Sequence, residues 1–308
     1  MHNASAQREL NILLNGQRLR HDPCPVYLGV TLDRSLTYRD HLTKVAGKVK
    51  TRNNLLGKLA GSSWGANAHT LRSAALALSY SAAEYCAPVW ARSSHTSLVD
   101  TQLNSTMRTI SGTIRSTPLP WLPVLSNIAP PNIRREAATA VLVAKVQATP
   151  QLPLYADLFD HPRARLESRR PMWMKMMKMP DEDFNLNAQW REKWLNAIVP
   201  NKQLVSDPTT PLPGFNLPRR KLSMLNRYRS GNGICAETEH KWGLRDSPNC
   251  ECGQVQSMLH TVEHCPLTKL NGGLKSLNTA CTEAVDWLGQ RRIRLYIGLL
   301  NSKFALFN

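Results

Sequence analysis

Acidic residues are scarce in this chain: 22 Asp and Glu stand against 39 Lys and Arg, a formal net charge of +17 over 308 residues. So large an imbalance attracts polyanions, of which nucleic acid is the commonest. Cysteine is also used sparingly, seven in all, and Cys24, Cys86, Cys235 and Cys281 are isolated. An odd and scattered set excludes a secreted disulfide framework and fits a reducing, intracellular compartment, cytoplasm or nucleus. Long apolar runs are missing. The most apolar stretch, 74–90, is interrupted by Ser79, Ser81 and Glu84 and reads as a buried helix, so no membrane partner is expected. The opening "MHNASAQREL" has no apolar signal core. No P-loop, G-x-G-x-x-G or H-E-x-x-H motif, internal repeat or heptad run is present. A hydrophobic content of 42% nevertheless supplies a real core, and the length suggests about two domains.

What is there reads as mainly helical, with a small β remnant at the N-terminus. Asn15-Gly16 between apolar residues marks a two-residue hairpin turn, and 26–32 reads as a short buried strand. Helices follow. The first opens at Thr37 with Asp40 three residues on, a capping-box pattern. It places Leu42, Val45, Val49, Leu56 and Leu59 on one face. Further helices are expected over 67–85, over 97–111 with Gly112 as C-terminal cap, and over 131–148 with Pro131 in its first turn. Nine prolines punctuate 150–215, which reads as an extended connection with one short helix near 187–198. Within it, "WMKMMKM" reads as an apolar packing stripe and "PDEDF", with Asp181 and Asp183, as a solvated acidic patch. A last helix fits 218–229, closed by Gly231, with Leu222, Leu225 and Tyr228 facing inward. The expected division is 1–36, 37–148, 149–216 and 217–308.

Cys250, Cys252, His260 and Cys265 give C-x-C, then H-x4-C. Three thiolates and one imidazole are the ligand set of a structural zinc site, closed to further ligands and suited to holding a small module together. Gly253 suits the tight turn such a cysteine pair needs. His264 is the rival ligand, disfavoured because it is adjacent to Cys265. Glu263 is a candidate acceptor behind the ligands.

These segments resemble a known family. "YLGVTLDRSLTYRDHL", "NNLLGKLAGSSWGA", "AEYCAPVWARSSHTSLVDTQLNSTMRTISG", "HKWGLRDSPNCECG" and "TEAVDWL" together are similar to the C-terminal portion of non-LTR retrotransposon reverse transcriptases of the jockey/CR1 kind. The resemblance implies the end of a palm in the N-terminal β remnant, a thumb-like helical domain over 37–148, and a C-terminal cysteine/histidine zinc motif carried on Cys250, Cys252, His260 and Cys265. It implies RNA, an RNA–DNA hybrid or DNA as partner, together with the polymerase and endonuclease portion of such an element protein.

The family polymerises with palm aspartates that hold paired metal ions. No such carboxylate turn occurs here, so the expected protein is a binding fragment without catalysis of its own. Two alternatives stand beside it: a subunit active only with a palm supplied in trans, and a relic of a transposon. The expected nucleic-acid contacts are Arg39, Lys44, Lys48, Lys50, Arg52 and Lys58 on the first helix, where Asp40 is the single acid. On the last helix they are Arg219, Arg220, Lys221, Arg227 and Arg229, with no acid. Tyr228 and Trp242 are expected stacking surfaces.

Overall fold

A computed structural model of the chain describes residues 11–61, 65–159 and 184–290. The acidic patch at Asp181 and Asp183, the methionine stripe and the last residues from 291 lie outside that range. The fold is mainly helical, with two small antiparallel strand pairs near the N-terminus. Among the described residues, the chain groups into two compact units. One holds residues up to 59, Arg72–Met107 and Ile128–Leu195; the other holds Ala60–Leu71, Arg108–Asn127 and the residues from 196 on.

In the first unit, strands β1 (Leu13–Leu14) and β2 (Gln17–Arg18) pair across Asn15 and Gly16, both at positive φ, as an Asn-Gly turn requires. The expected strand over 26–32 is instead a second hairpin, β3 (Val26–Tyr27) with β4 (Val30–Thr31). Leu28 and Gly29 both adopt positive φ and reverse the chain, and the Tyr85 hydroxyl donates to the Leu28 carbonyl at 3.0 Å. Only Val30 and Thr31 are buried, so the burial expected of the whole run belongs to its last third.

Helix α1 (Arg39–Leu59) buries Leu42, Val45, Val49 and Leu56, at roughly 1.5–3 kcal/mol each. Leu59, expected on this face, is exposed at the helix end. The reciprocal box at Thr37 and Asp40 does not form. Asp33 instead braces the turn just before the helix: its carboxylate accepts from the Thr37 N–H at 3.0 Å, the Thr37 hydroxyl at 2.8 Å and the Tyr38 N–H at 2.7 Å, while the Thr37 hydroxyl oxygen accepts from the first helical N–H, that of Arg39, at 3.4 Å. Burial raises the Asp33 pKa, and these hydrogen bonds outweigh it and bring it below the ordinary value.

The second helical stretch runs from Ala68–Ala75 through a π-turn at Leu76–Tyr80 to Ser81–Ala83. Its wide turn sits over a buried polar node. Asn53 Oδ1 accepts from the hydroxyls of Ser79 (3.0 Å) and Thr106 (2.6 Å), while Asn53 Nδ2 donates to the Gln102 carbonyl at 2.9 Å. A buried amide with partners on both ends ties three helical stretches in one register. Helix Pro131–Gln147 packs against Ala87–Trp90 and Leu186–Leu195. Trp190 joins Ala129 and Ile133 in one cluster. This anchor holds the short helix expected near 187–198, found at Leu186–Leu195, inside the stretch read as a connection.

His41 is buried in this unit, with Nδ1 accepting the Thr31 N–H at 3.3 Å and Nε2 without a partner. Burial, then the charges of Lys48 and Lys44, push its pKa down. Unfolded His41 gains a proton as pH falls below about 6.5 while the buried ring resists, so the unfolded state then binds more protons and stability drops on acidification. Urea midpoints taken between about pH 7.5 and about pH 5 are expected to fall more steeply for the parent than for His41→Gln.

In the second unit, helix Arg219–Ser230 starts after Pro218 and ends at Gly231, whose φ of 66° closes its C-terminus. Leu225 and Tyr228 face inward as expected, with Met258, Val262, Leu270, Leu274, Leu277, Trp287 and Leu288 around them. Tyr228 meets Trp287 edge-on at 5.3 Å between centroids. It is therefore a core residue, and its expected role as an exposed stacking surface is withdrawn.

Candidate metal centre

Cys250 and Cys252 lie on a tight turn closed by the Gly253 N–H donating to the Cys250 carbonyl at 2.9 Å. The turn is clamped by an antiparallel bridge between Asn249 and Val255, and Gly253 takes a φ of 87°. A side chain other than glycine would strain that backbone.

His260 and Cys265 come from a π-turn over His260–His264, closed by the Cys265 N–H donating to the His260 carbonyl at 2.8 Å. This geometry is what H-x4-C needs. In a regular α-helix, residues five apart point about 140° away from each other. The wider π-turn brings both to one side, and His264, one position earlier, is left exposed. The Ser257 hydroxyl caps the turn by accepting from the His260 N–H at 3.0 Å.

The four ligand atoms lie within 4.8 Å of one another, and this cluster could hold one metal ion. Cys250 Sγ is 3.6 Å from Cys265 Sγ, and Cys252 Sγ is 3.2 Å from His260 Nε2. Cys250, Cys265 and His260 are buried. Burial raises the Cys265 thiol, yet the polar Thr268 side chain and the Leu267 backbone, with Cys250 and Cys252 beside it, bring it down to about 6. The Cys252 thiol sits above its ordinary value. A hydrogen bond from the Gln254 backbone lowers it, but burial and the neighbouring sulfurs weigh more. Three thiols so close cannot all ionise without a cation among them, and a divalent ion removes that conflict.

Two supports were not legible in the sequence. Gln256 Nε2 donates to Cys250 Sγ at 3.7 Å, while its Oε1 accepts from the Ala236 N–H at 3.0 Å, tying the cysteine turn to helix Ala236–Lys241. Thr268 donates to the Thr261 carbonyl at 2.9 Å behind Cys265. Glu263, expected behind the ligands, instead accepts from the Leu274 N–H at 2.7 Å at the start of helix Gly273–Asn278.

The basic residues divide sharply by burial. On α1, Arg39, Lys44, Lys48, Lys50 and Lys58 are exposed. Lys44 also donates to the Thr31 hydroxyl at 3.1 Å. Arg52 is half-buried and donates to the Leu78 carbonyl over the π-turn.

On the last basic helix the expected positive surface is largely internal. Arg229 is 1% exposed, and Arg219 is also buried. Arg219 donates to the carbonyls of Thr109 and Ile110, Asn226 Nδ2 to Ser111 at 2.9 Å, and Arg227 Nε to Gly112 at 3.2 Å. One helix face thus caps the carbonyl end of helix Ser97–Ser111, where the backbone dipole favours cations. Gly112 comes so close that a Cβ there would lie 1.9 Å from Ser223 Oγ. The expectation that Arg219 and Arg229 contact nucleic acid is therefore corrected: both serve backbone carbonyls and side chains inside the fold. Arg220 remains exposed, and Lys221 and Arg227 are half-buried. Arg134 and Arg135 pair with Glu84 and Asp100.

Among the described residues, no helix is long and apolar enough to cross a membrane. Comparison of the chain with protein-family models, with curated proteins and with solved structures finds no match.

Proposed function

We propose that this chain is a nucleic-acid-binding polypeptide that corresponds to the C-terminal portion of a non-LTR retrotransposon reverse transcriptase, with a structural zinc ion closing its C-terminal module and no polymerase activity of its own. The partner is RNA, an RNA–DNA hybrid or DNA, held through its phosphates. The sequence resemblance supports the family. The donor set supports zinc: Cys3His is a closed tetrahedral set, and Zn–S bonds of about 2.3 Å place two sulfurs about 3.8 Å apart, close to the 3.6 Å between Cys250 and Cys265. Four protein ligands leave no position for a reacting water, so the ion's work is to hold the fold.

The single observation that carries nucleic-acid binding is the outer face of α1. Lys58 lies opposite its buried stripe with Lys44 beside it, while Lys48 stands at one edge of the stripe and Arg39 and Lys50 at the other. Lys44 and Lys48 are one turn apart, a like-charge pair that weakens an isolated helix by a few tenths of a kcal/mol. Among the described residues, none of these five cations makes an ion pair. A phosphate backbone supplies the missing counter-charge, positioning the strand without reading its bases.

Binding of a single-stranded RNA is expected to weaken steeply with salt. Replacing Lys44, Lys48, Lys50 and Lys58 together by Gln makes the log–log slope shallower by roughly 0.7 for each phosphate that is no longer neutralised. An unchanged slope and affinity in that variant would remove α1 from the interface. Primer extension by the chain alone is expected to stay at background. Extension above it would contradict the reading of a chain without catalysis.

A further inference from the structure

A cleft of about 790 Å³ opens beside the metal cluster in the second unit, bordered by Cys250 and Gln256 on one side and by the basic helix on the other. Such a volume falls within the ordinary range for ligand sites. Three guanidinium groups line it: Arg220, Arg227 and Arg245. Two carboxylates line it as well. Glu239 is buried and lies 3.7 Å from Arg245, and Glu251 is exposed.

Arg227 is the group that the fold leaves incomplete. It is half-buried, and its Nε is used on the Gly112 carbonyl, while among the described residues its two terminal nitrogens have no hydrogen-bond partner and no carboxylate pairs with it. Its charge also bears on a second cation: burial first, and then the charge of Arg227, bring the Arg219 pKa down to about 10. A guanidinium stays charged at neutral pH, so neutralisation by proton loss is closed to it. A partly desolvated cation without a counter-ion is unfavourable, and an anion in the cleft offsets that cost. The terminal nitrogens form a planar fork that fits two oxygens of one tetrahedral oxyanion, which a point charge such as lysine does not.

We propose that this cleft is a phosphate-binding site, with Arg227 at its floor and Arg220 and Arg245 at its rim. That the phosphate belongs to a nucleic-acid strand, and not to a small phosphorylated molecule, rests on the function proposed above. The site is separate from the lysine face of α1, and its shape is set by the metal cluster through Cys250 and Gln256.

The test uses the full, metal-loaded chain and two probes: inorganic pyrophosphate, read as thermal protection, and a single-stranded oligouridylate of about 12 nucleotides, read by fluorescence anisotropy. Pyrophosphate is expected to raise the melting temperature of the parent and to compete with the oligonucleotide. Arg227→Gln abolishes the protection and weakens oligonucleotide binding about tenfold, whereas Arg227→Lys, which keeps the charge but not the fork, restores part of it. Metal content and circular dichroism equal to the parent's certify that the variant is folded. Should Arg227→Gln fail that check, the rim pair Arg220→Gln and Arg245→Gln carries the same expectation.

Folded cleft variants that bind both probes like the parent overturn the inference. If oligonucleotide binding then falls only with the α1 lysines, the nucleic-acid reading stands without the cleft. Arg227-dependent pyrophosphate protection in a chain that binds no oligonucleotide leaves the phosphate site standing and overturns the nucleic-acid reading.

Discussion

In the zinc-loaded chain proposed above, chelation is expected to melt the C-terminal module, with loss of the near-ultraviolet signal from Trp287 and release of Tyr228 from its side. The reason lies in how little else orders the chain between Gly231 and Gly272. Its regular structure is the six-residue helix Ala236–Lys241, one isolated bridge and one π-turn. Yet this segment contributes Met258, Val262 and Leu270 to the core around Trp287. Three buried apolar side chains are a small core for a segment of this length, too small to order it unaided. A Cys3His zinc site in a small domain contributes about 10–16 kcal/mol of apparent binding free energy, which is folding free energy where no site exists in the unfolded chain. Cys265→Ser should behave like chelation, since Cys265 is wholly buried and hydrogen-bonded from several sides. Gln256→Ala, which removes the amide behind Cys250, is expected to lower metal affinity about 10- to 100-fold without unfolding the metal-loaded chain. His264→Ala, on an exposed ring, should change neither. A far-ultraviolet and near-ultraviolet melt with and without chelator decides it, and a module that keeps its tertiary signal without metal would contradict it.

The second large effect falls on a residue that looks like surface in the sequence. Arg229→Met is expected to destabilise the second unit by about 2–5 kcal/mol, because several buried neutral acceptors lose a charged donor at once. Arg229 donates to Asn278 Oδ1 at 2.7 Å, the Asn278 carbonyl at 2.9 Å, the Pro213 carbonyl at 2.6 Å and Asn226 Oδ1 at 3.2 Å. Methionine fills most of the volume but leaves those acceptors buried without donors, at about 1–3 kcal/mol for each that water cannot reach. Arg229→Lys rescues little, because an ammonium on a flexible stem cannot span acceptors fixed on three segments. Burial pushes the Arg229 pKa down to about 9, the mark of a cation held by dipoles without a carboxylate. Urea unfolding monitored at tryptophan measures the loss. A midpoint within about 1 kcal/mol of the parent would mean that the carbonyls find water once the guanidinium is gone.

Local chemistry was legible in the sequence; long-range partnership was not. Asn15-Gly16, Gly112 and Gly231 announced their turns and caps because positive φ is a property of one or two residues. Leu42, Val45, Val49 and Leu56 announced the inner face of α1 because burial follows helical period. The four candidate ligands were legible as a set from residue type and spacing, and the structure brings them within 4.8 Å of one another, where they could hold a metal ion. The π-turn that lets His260 and Cys265 face one ion was not, since nothing in "HTVEH" distinguishes it from an α-turn. Arg219 and Arg229 were misplaced for a related reason. A dense run of cations reads as surface, but the carbonyls they serve lie at 109–110, 213 and 278, distant in sequence. The box between Thr37 and Asp40 failed for a similar reason: Asp33, four residues upstream, takes the Thr37 and Tyr38 N–H groups across a bend at Leu36 and Tyr38, both at positive φ.

X-ray absorption at the zinc edge, on the purified full chain with its metal content measured in parallel, tests most directly whether this cluster is a closed structural site. The expected spectrum fits three sulfurs at about 2.3 Å and one nitrogen at about 2.0–2.1 Å, with one ion per chain. Cys252→Ser and His260→Ala should each lose that ion, and His264→Ala should keep it. A coordination shell containing a water oxygen, or metal content unchanged in Cys252→Ser, would contradict a closed structural zinc site built from Cys250, Cys252, His260 and Cys265.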